Sequence, residues 1–261
     1  MKNFGQVAAP LDAATKEYVD DLAPIWEADV TYAAGDWCQH NGELWHNTSG
    51  APSTGVEPGT DYNVWNVTYS NENLLDNPWF TVNQRGQTSY TGEGYTVDRW
   101  VSRFTSVNTY VNESGISVEN LRDGAITISQ HLKSSVPIGQ IVTLSCLAKA
   151  DVARGMIRLS DSDRVSYVAE FCYIPVSDDM IFCAKTFAAS HLYPFCEMRP
   201  ANLGIIDIRA IKLELGSVST LANDTIPDYG TEFVKCVMST ADPNDTYANK
   251  QLRASPTEVS A

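Results

Sequence analysis

The chain has 261 residues, 43% of them hydrophobic and 10% aromatic, and carries a formal net charge of −14. This is a globular composition, long enough for one large domain or two to three small ones. The acidic balance argues against nucleic acid as a ligand, because that binding is driven by Lys and Arg neutralising phosphates, and no apolar run approaches the roughly 20 residues of a membrane span. A neutral glycan or another protein is the easier partner. The opening MKNFGQVAAP lacks the apolar core of a secretory signal, so none is expected.

Residues 11–22, LDAATKEYVDDL, carry the one clear helical signal. Asp12 can cap the first turn, and Leu11, Ala14, Tyr18 and Leu22 recur at three-to-four spacing along one face. Three turns are marginal in isolation, so the stripe packs either on its own domain or against copies of itself. DAATKEYVDD resembles an element repeated in the shafts and collars of bacteriophage fibres. That resemblance implies a homotrimer, with Leu11, Ala14, Tyr18 and Leu22 as its contact stripe and residues 1–24 as an attachment segment.

Residues 25–70 hold four of the six tryptophans, and no Lys or Arg falls between Lys16 and Arg85. Asn41-Gly42 is the dipeptide of a type I′ hairpin turn, placed between a strand after Gly35-Asp36 and a return strand over 43–47. So small a unit must build its core from aromatics, and Trp26, Trp45 and Trp65 are assigned to it. Trp37 alternates with Cys38, so an inward Cys38 sends Trp37 outward. There, near His46 and Tyr62, it could stack against a sugar ring or form an inter-subunit contact, and the sequence leaves both open. The order Trp26, Tyr32, Gly35, Asp36, Gly42, Trp45, Gly55, Pro58, Trp65 is similar to the small carbohydrate-binding modules of chitinases and cellulases. Where sugar-binding members carry an exposed aromatic pair after the second strand, this chain has Thr48-Ser49-Gly50-Ala51-Pro52.

From Asn73, NLLDNPWFTVNQRG reads as the opening strand of a larger β domain, and Asp98-Arg99-Trp100 as the start of a second. Further strand-like runs lie at 125–131, 141–150, 155–160, 165–172, 180–184, 191–199 and 205–215. In the last run the apolar side changes near Ala210, as a β-bulge would produce. Short strands at this spacing predict a mainly β chain with a two-sheet antiparallel sandwich over residues 71–216. NLLDNPWF, YTVDRW, IKLELGS and DYGTEF together resemble the jelly-roll domains that end phage tail-fibre and receptor-binding proteins, which sharpens the expectation to a jelly roll. Residues 217–261 read as a polar extension, its last two dozen residues irregular and held by neighbouring virion proteins.

Cys38, Cys146, Cys172, Cys183, Cys196 and Cys236 form no C-x-x-C pair, so a structural zinc is rejected and buried free thiols are expected. Asp161-Ser162-Asp163 reads as a solvated turn. The acidic residues show no spacing that singles out a glycosidase pair, and the four histidines accompany no nucleophile motif. The expectation is a non-enzymatic structural protein of a phage virion, without metal or cofactor and without membrane insertion. It would be a trimeric fibre or spike that binds host surface glycan. The alternative is a head-fibre, decoration or collar protein with a purely structural role.

Overall fold

The computed structural model describes residues 23–239, except 161–170 and positions 42, 68, 125, 134, 152, 154, 191, 193–194 and 201–202. The predicted trimer stripe of Leu11, Ala14, Tyr18 and Leu22 lies outside the described residues, as do Asp161-Ser162-Asp163 and the terminal tail from 240. The chain divides into two compact units, the first ending at Tyr69 and the second beginning at Ser70.

In the first unit β1 (Thr31–Tyr32) pairs with β4 (Ser53–Thr54), while β2 (Trp37–His40), β3 (Glu43–Asn47) and β5 (Trp65–Asn66) form an antiparallel sheet. Asn41, at φ 52, takes the left-handed conformation that a type I′ turn requires. Cys38, Trp45 and Trp65 are buried on one face of the sheet, with Tyr32 edge-on to Trp65 at 5.2 Å. The Trp65 indole N–H donates to the Val56 carbonyl at 2.8 Å, satisfying its one polar atom. Asn47, also buried, spends its amide on the carbonyls of Tyr32, Ala33 and Ala51 and so fastens β3 to two loops. Trp26 is only half-buried, edge-on to His40.

The second unit is an antiparallel jelly-roll sandwich. Its strands are β6 (Ser89–Thr91), β7 (Gly94–Tyr95), β8 (Val101–Ser102), β9 (Val107–Asn112), β10 (Gly115–Asn120), β11 (Ile128–His131), β12 (Ile141–Ala150), β13 (Gly155–Ser160), β14 (Phe171–Ile174), β15 (Ile181–Ala188), β16 (Phe195–Arg199) and β17 (Gly204–Leu215). One sheet runs β15-β12-β17-β10-β9-β6, the other β14-β13-β16-β11-β8-β7. Between them lie Trp100, Ile128, Leu144, Ile157, Met198 and Ile206, each at most 0% exposed. After β17 come a 3₁₀ turn (Leu221–Asn223) and α1 (Tyr229–Ser239).

Two sequence expectations are corrected here, and two elements had no expectation. The stretch from Asn73 is not a strand. Leu74 N–H donates to the Leu213 carbonyl and Ile211 N–H to the Pro78 carbonyl, but Asn77 (φ 49) and Phe80 (φ 58) then turn the chain inward. The buried Asn77 amide holds that turn through Val82 and the Asp98 carbonyl, so Leu75 and Phe80 plug the core, and Val82 is buried, without pairing as a strand. Asp98-Arg99-Trp100 is likewise a turn, with Arg99 at φ 74. Finally, the β9–β10 hairpin and α1 were not anticipated.

The β-bulge expected near Ala210 is present. Leu147 of β12 faces Ala210 and Ala148 faces Ile208, leaving Arg209 as the extra residue. Before the bulge Ile206 and Ile208 point into the core, and after it Ile211 and Leu213 do. The shift sends Lys212 and Glu214 to the opposite face. Both are 0% exposed there, with Lys212 Nζ 2.6 Å from Asp224 and 3.0 Å from Ser70 Oγ. Burial raises the Glu214 carboxyl above its usual range against the opposing pull of Thr220 and Lys212.

Gly115 opens β10 at φ 125, and a Cβ there would stand 2.2 Å from the Ile208 carbonyl oxygen. The neighbour is backbone and has little room to yield. Gly115→Ala is therefore expected to lower the unfolding free energy by about 2–4 kcal/mol, the sum of strained φ and overpacking, read as a shift of the urea midpoint. An unchanged midpoint would show that β10 can drift away from β17.

Candidate functional site

Two surfaces and one buried cluster bring together side chains with chemical capacity. The first is the open face of the β2-β3-β5 sheet. Cys38 faces the core, and its neighbour Trp37 faces out, directly across from His46. The two rings stack with centroids 4.3 Å apart and planes 11° from parallel. His46 is in turn opposite Asn66, and the next row sets Gln39 opposite Leu44. An isolated parallel bridge aligns Ile25 with Gln39, so Ile25, 60% exposed, and Leu44, 42% exposed, lie on either side of Gln39 in the row next to the stacked pair. Tyr62 does not join them. It is buried and packs against Trp45 at 6.0 Å, on the core side of the sheet. Its proximity in sequence to Trp65 places it beneath the sheet and away from the platform.

The second surface is a groove of about 680 Å³ on the sandwich. Asn112, Glu113 and Ser114 of the β9–β10 turn form one wall, and Asp178 and Asp179 before β15 form another. Its floor carries Ser117, Lys149, Asp207 and Arg209. Lys149 Nζ donates to the Asp178 carbonyl at 2.9 Å and stands 3.8 Å from Asp207. Asn112 donates to Ser117 Oγ at 3.2 Å. Arg209, the bulge residue, is exposed and engages no hydrogen bond or ion pair among the described residues. Bulges commonly re-aim a side chain in this way. Sequence reading missed the groove because its residues come from four strands and two loops. The turn-forming Asn112-Glu113-Ser114-Gly115 between alternating runs was the available signal.

The buried cluster joins cysteines that are far apart in the sequence, the separation on which a structural zinc was rejected. All six cysteines are free and buried, but the fold brings the sulfurs of Cys146, Cys172 and Cys183 within 4.8 Å of one another. Hydrogen bonds from Cys146 and then Cys172 hold the Cys183 thiol below its usual range. Cys38 stands apart: burial alone pushes it up to about 12, the state of an inert core thiol.

No protein-family model matches the sequence, and no curated protein matches it. Among solved structures the chain is similar to a mutant of a family 29 carbohydrate binding module, at 12% identity and a TM-score of 0.38, over 53% of this chain and 95% of that one. A family 4 carbohydrate binding module aligns at 11% identity and a TM-score of 0.36, over 45% of this chain and 95% of the other. The enzymatically active domain of tailspike protein 4 of bacteriophage CBA120 aligns at 15% identity and a TM-score of 0.34, over 55% of this chain and 21% of the tailspike chain. Among the described residues, no helix is long and apolar enough to cross a membrane.

Proposed function

We propose that this protein is a non-enzymatic structural component of a phage virion, a trimeric fibre or spike that binds a glycan on the host surface. The observation that carries the binding role is the stacked Trp37–His46 pair on the open face of the small sheet. A sugar presents a C–H face to an aromatic plane, and the half-buried Gln39 in the next row is a polar neighbour on that face, whereas Asn66, opposite His46, is buried with its amide spent on Thr48 Oγ1 and the Tyr62 carbonyl. The lack of any Lys or Arg from 17 to 84 suits a neutral saccharide. The virion and trimer assignments rest on the resemblance of DAATKEYVDD and of the NLLDNPWF and IKLELGS segments to phage fibre elements. A single weak contact repeated three times would gain about 10²–10⁴ in avidity where the geometry allows all copies to engage.

One observation favours the purely structural alternative, a head-fibre, decoration or collar protein. Ile25 and Leu44 place exposed apolar surface in the row beside the pair, as an interface between proteins would.

The test is binding of labelled full-length protein to host cells, with soluble wall polysaccharide as competitor. Trp37→Ala is expected to weaken binding at least tenfold with the fold unchanged by circular dichroism, while Arg209→Ala in the groove leaves it intact. Loss with Arg209→Ala alone would move the seat to the groove. No saturable binding by wild type would leave the structural alternative.

A further inference from the structure

We propose that Cys146, Cys172 and Cys183 form a binding site for a soft, thiophilic d¹⁰ cation, Cu(I) or Zn(II), that joins the two sheets of the sandwich. Cys146 on β12 and Cys183 on β15 are directly opposite in the same sheet. Cys172 reaches them from β14, in the other sheet. The three sulfurs already lie within 4.8 Å of one another, close to the spacing that sulfurs bound at about 2.3 Å from one ion would adopt. Among the described residues, no carboxylate or imidazole belongs to the group. An all-sulfur donor set selects soft ions over Mg²⁺ or Ca²⁺.

Location gives the site a purpose and a route in. β15 and β14 are the outermost strands of their sheets at the same side of the sandwich; a single bridge, Ala150 to Val176 with Ser177 N–H donating to the Ala150 carbonyl, links the end of β12 to the segment after β14, but among the described residues no ladder pairs β14 with β15. One ion with ligands from both sheets would close that side. Cys183 is 9% exposed and Cys172 3%, against 0% for Cys146, so the cluster is approached from the rim. Each thiol that ligates gives its proton to solvent, and no electron transfer is involved.

The experiment uses the reduced full-length chain under anaerobic conditions, titrated separately with Zn(II) and with Cu(I) supplied as its acetonitrile complex, then desalted. Metal is counted per chain, and its ligand shell is read by X-ray absorption. The expected result is one ion per chain with three sulfurs at about 2.3 Å and a raised Tm. A zinc shell completed by one light atom and a three-sulfur copper shell both support the site and tell the two occupants apart. Cys183→Ser should lower uptake at least tenfold. Cys196→Ser, which removes a core thiol outside the cluster, should not. Because the ligand shell is measured on the wild type, a variant that misfolds does not blunt the test. Negligible uptake of both ions, a shell of nitrogen and oxygen only, or undiminished uptake by Cys183→Ser would overturn the proposal and leave the thiols as core packing.

Discussion

Replacing Lys212 with alanine is expected to cost the sandwich unit about 3–5 kcal/mol of unfolding free energy, the range for stranding a buried charge. Lys212 is wholly buried, 2.6 Å from Asp224 and 3.9 Å from a Glu214 that is itself 0% exposed. Removing the ammonium leaves two carboxylates facing each other with little water. Lys212→Met keeps the volume but not the charge, so it should lose nearly as much. Adding Glu214→Gln and Asp224→Asn to Lys212→Met should recover most of the loss, because all members are then neutral. The deficit also has a predictable pH dependence. Burial already raises the Glu214 carboxyl above its ordinary value of 4.5, and loss of the cation raises it further. A carboxyl with a raised folded pKa takes up its proton in the folded state first, so folding gains as pH falls from that pKa towards 4.5. Urea unfolding at pH 7 and pH 5 should therefore show a smaller gap between wild type and Lys212→Ala at the lower pH. A gap that widens on acidification would mean that Glu214 is not the stranded group.

Trp100→Ala is expected to lose about 3–5 kcal/mol, the range for truncating a large buried aromatic. Trp100 is 0% exposed, packs on Phe80 with ring centroids 5.6 Å apart, and donates its indole N–H to the Asn77 carbonyl at 3.2 Å. The ring thus supports the inward turn at Asn77 as well as filling volume. Trp100→Phe keeps most of the packing but removes one of that carbonyl's two donors, the Phe80 N–H at 3.1 Å remaining, so about 0.5–1.5 kcal/mol should be lost. Denaturant midpoints of the sandwich transition order the three proteins, with alanine lowest. A Trp100→Ala midpoint equal to that of Trp100→Phe would show that the hydrogen bond, and not ring volume, dominates.

What the sequence made legible follows from how local the signals were. Residues 141–150 and 155–160 were read as strands with the bounds that β12 and β13 have, because each is an uninterrupted run of strand-forming residues between turn signals. The change of apolar side in 205–215 announced the bulge, since a single inserted residue reverses the faces of everything beyond it. The plug at 73–86 was misread because its aromatic content matches a strand, whereas its conformation depends on Asn77 gripping residues up to 21 positions away. α1 was obscured by its anchor: the helix is tied down through Glu232, whose carboxylate accepts from Asn77 N–H at 2.9 Å, and an acidic residue in a polar stretch does not suggest burial. At the candidate site, alternation sufficed to turn Trp37 away from Cys38. It could not place Tyr62, which precedes β5 and packs by tertiary contact. The grouping of Cys146, Cys172 and Cys183 had no local signature at all, because three separate strands supply it.

The same lysine that neutralises Glu214 and Asp224 also governs how the sandwich would carry tension. Ser70, where the chain joins this unit, bonds Asp224, beyond the last strand, and both meet Lys212 Nζ. A pull applied at residue 70 and at residue 224 therefore acts on two points held in one clasp. The load first crosses the Ser70–Asp224 hydrogen bond directly and, through Lys212, one residue of β17. Such a clasp is expected to act as a sacrificial link, its few polar contacts opening before the strand ladders of the sandwich separate.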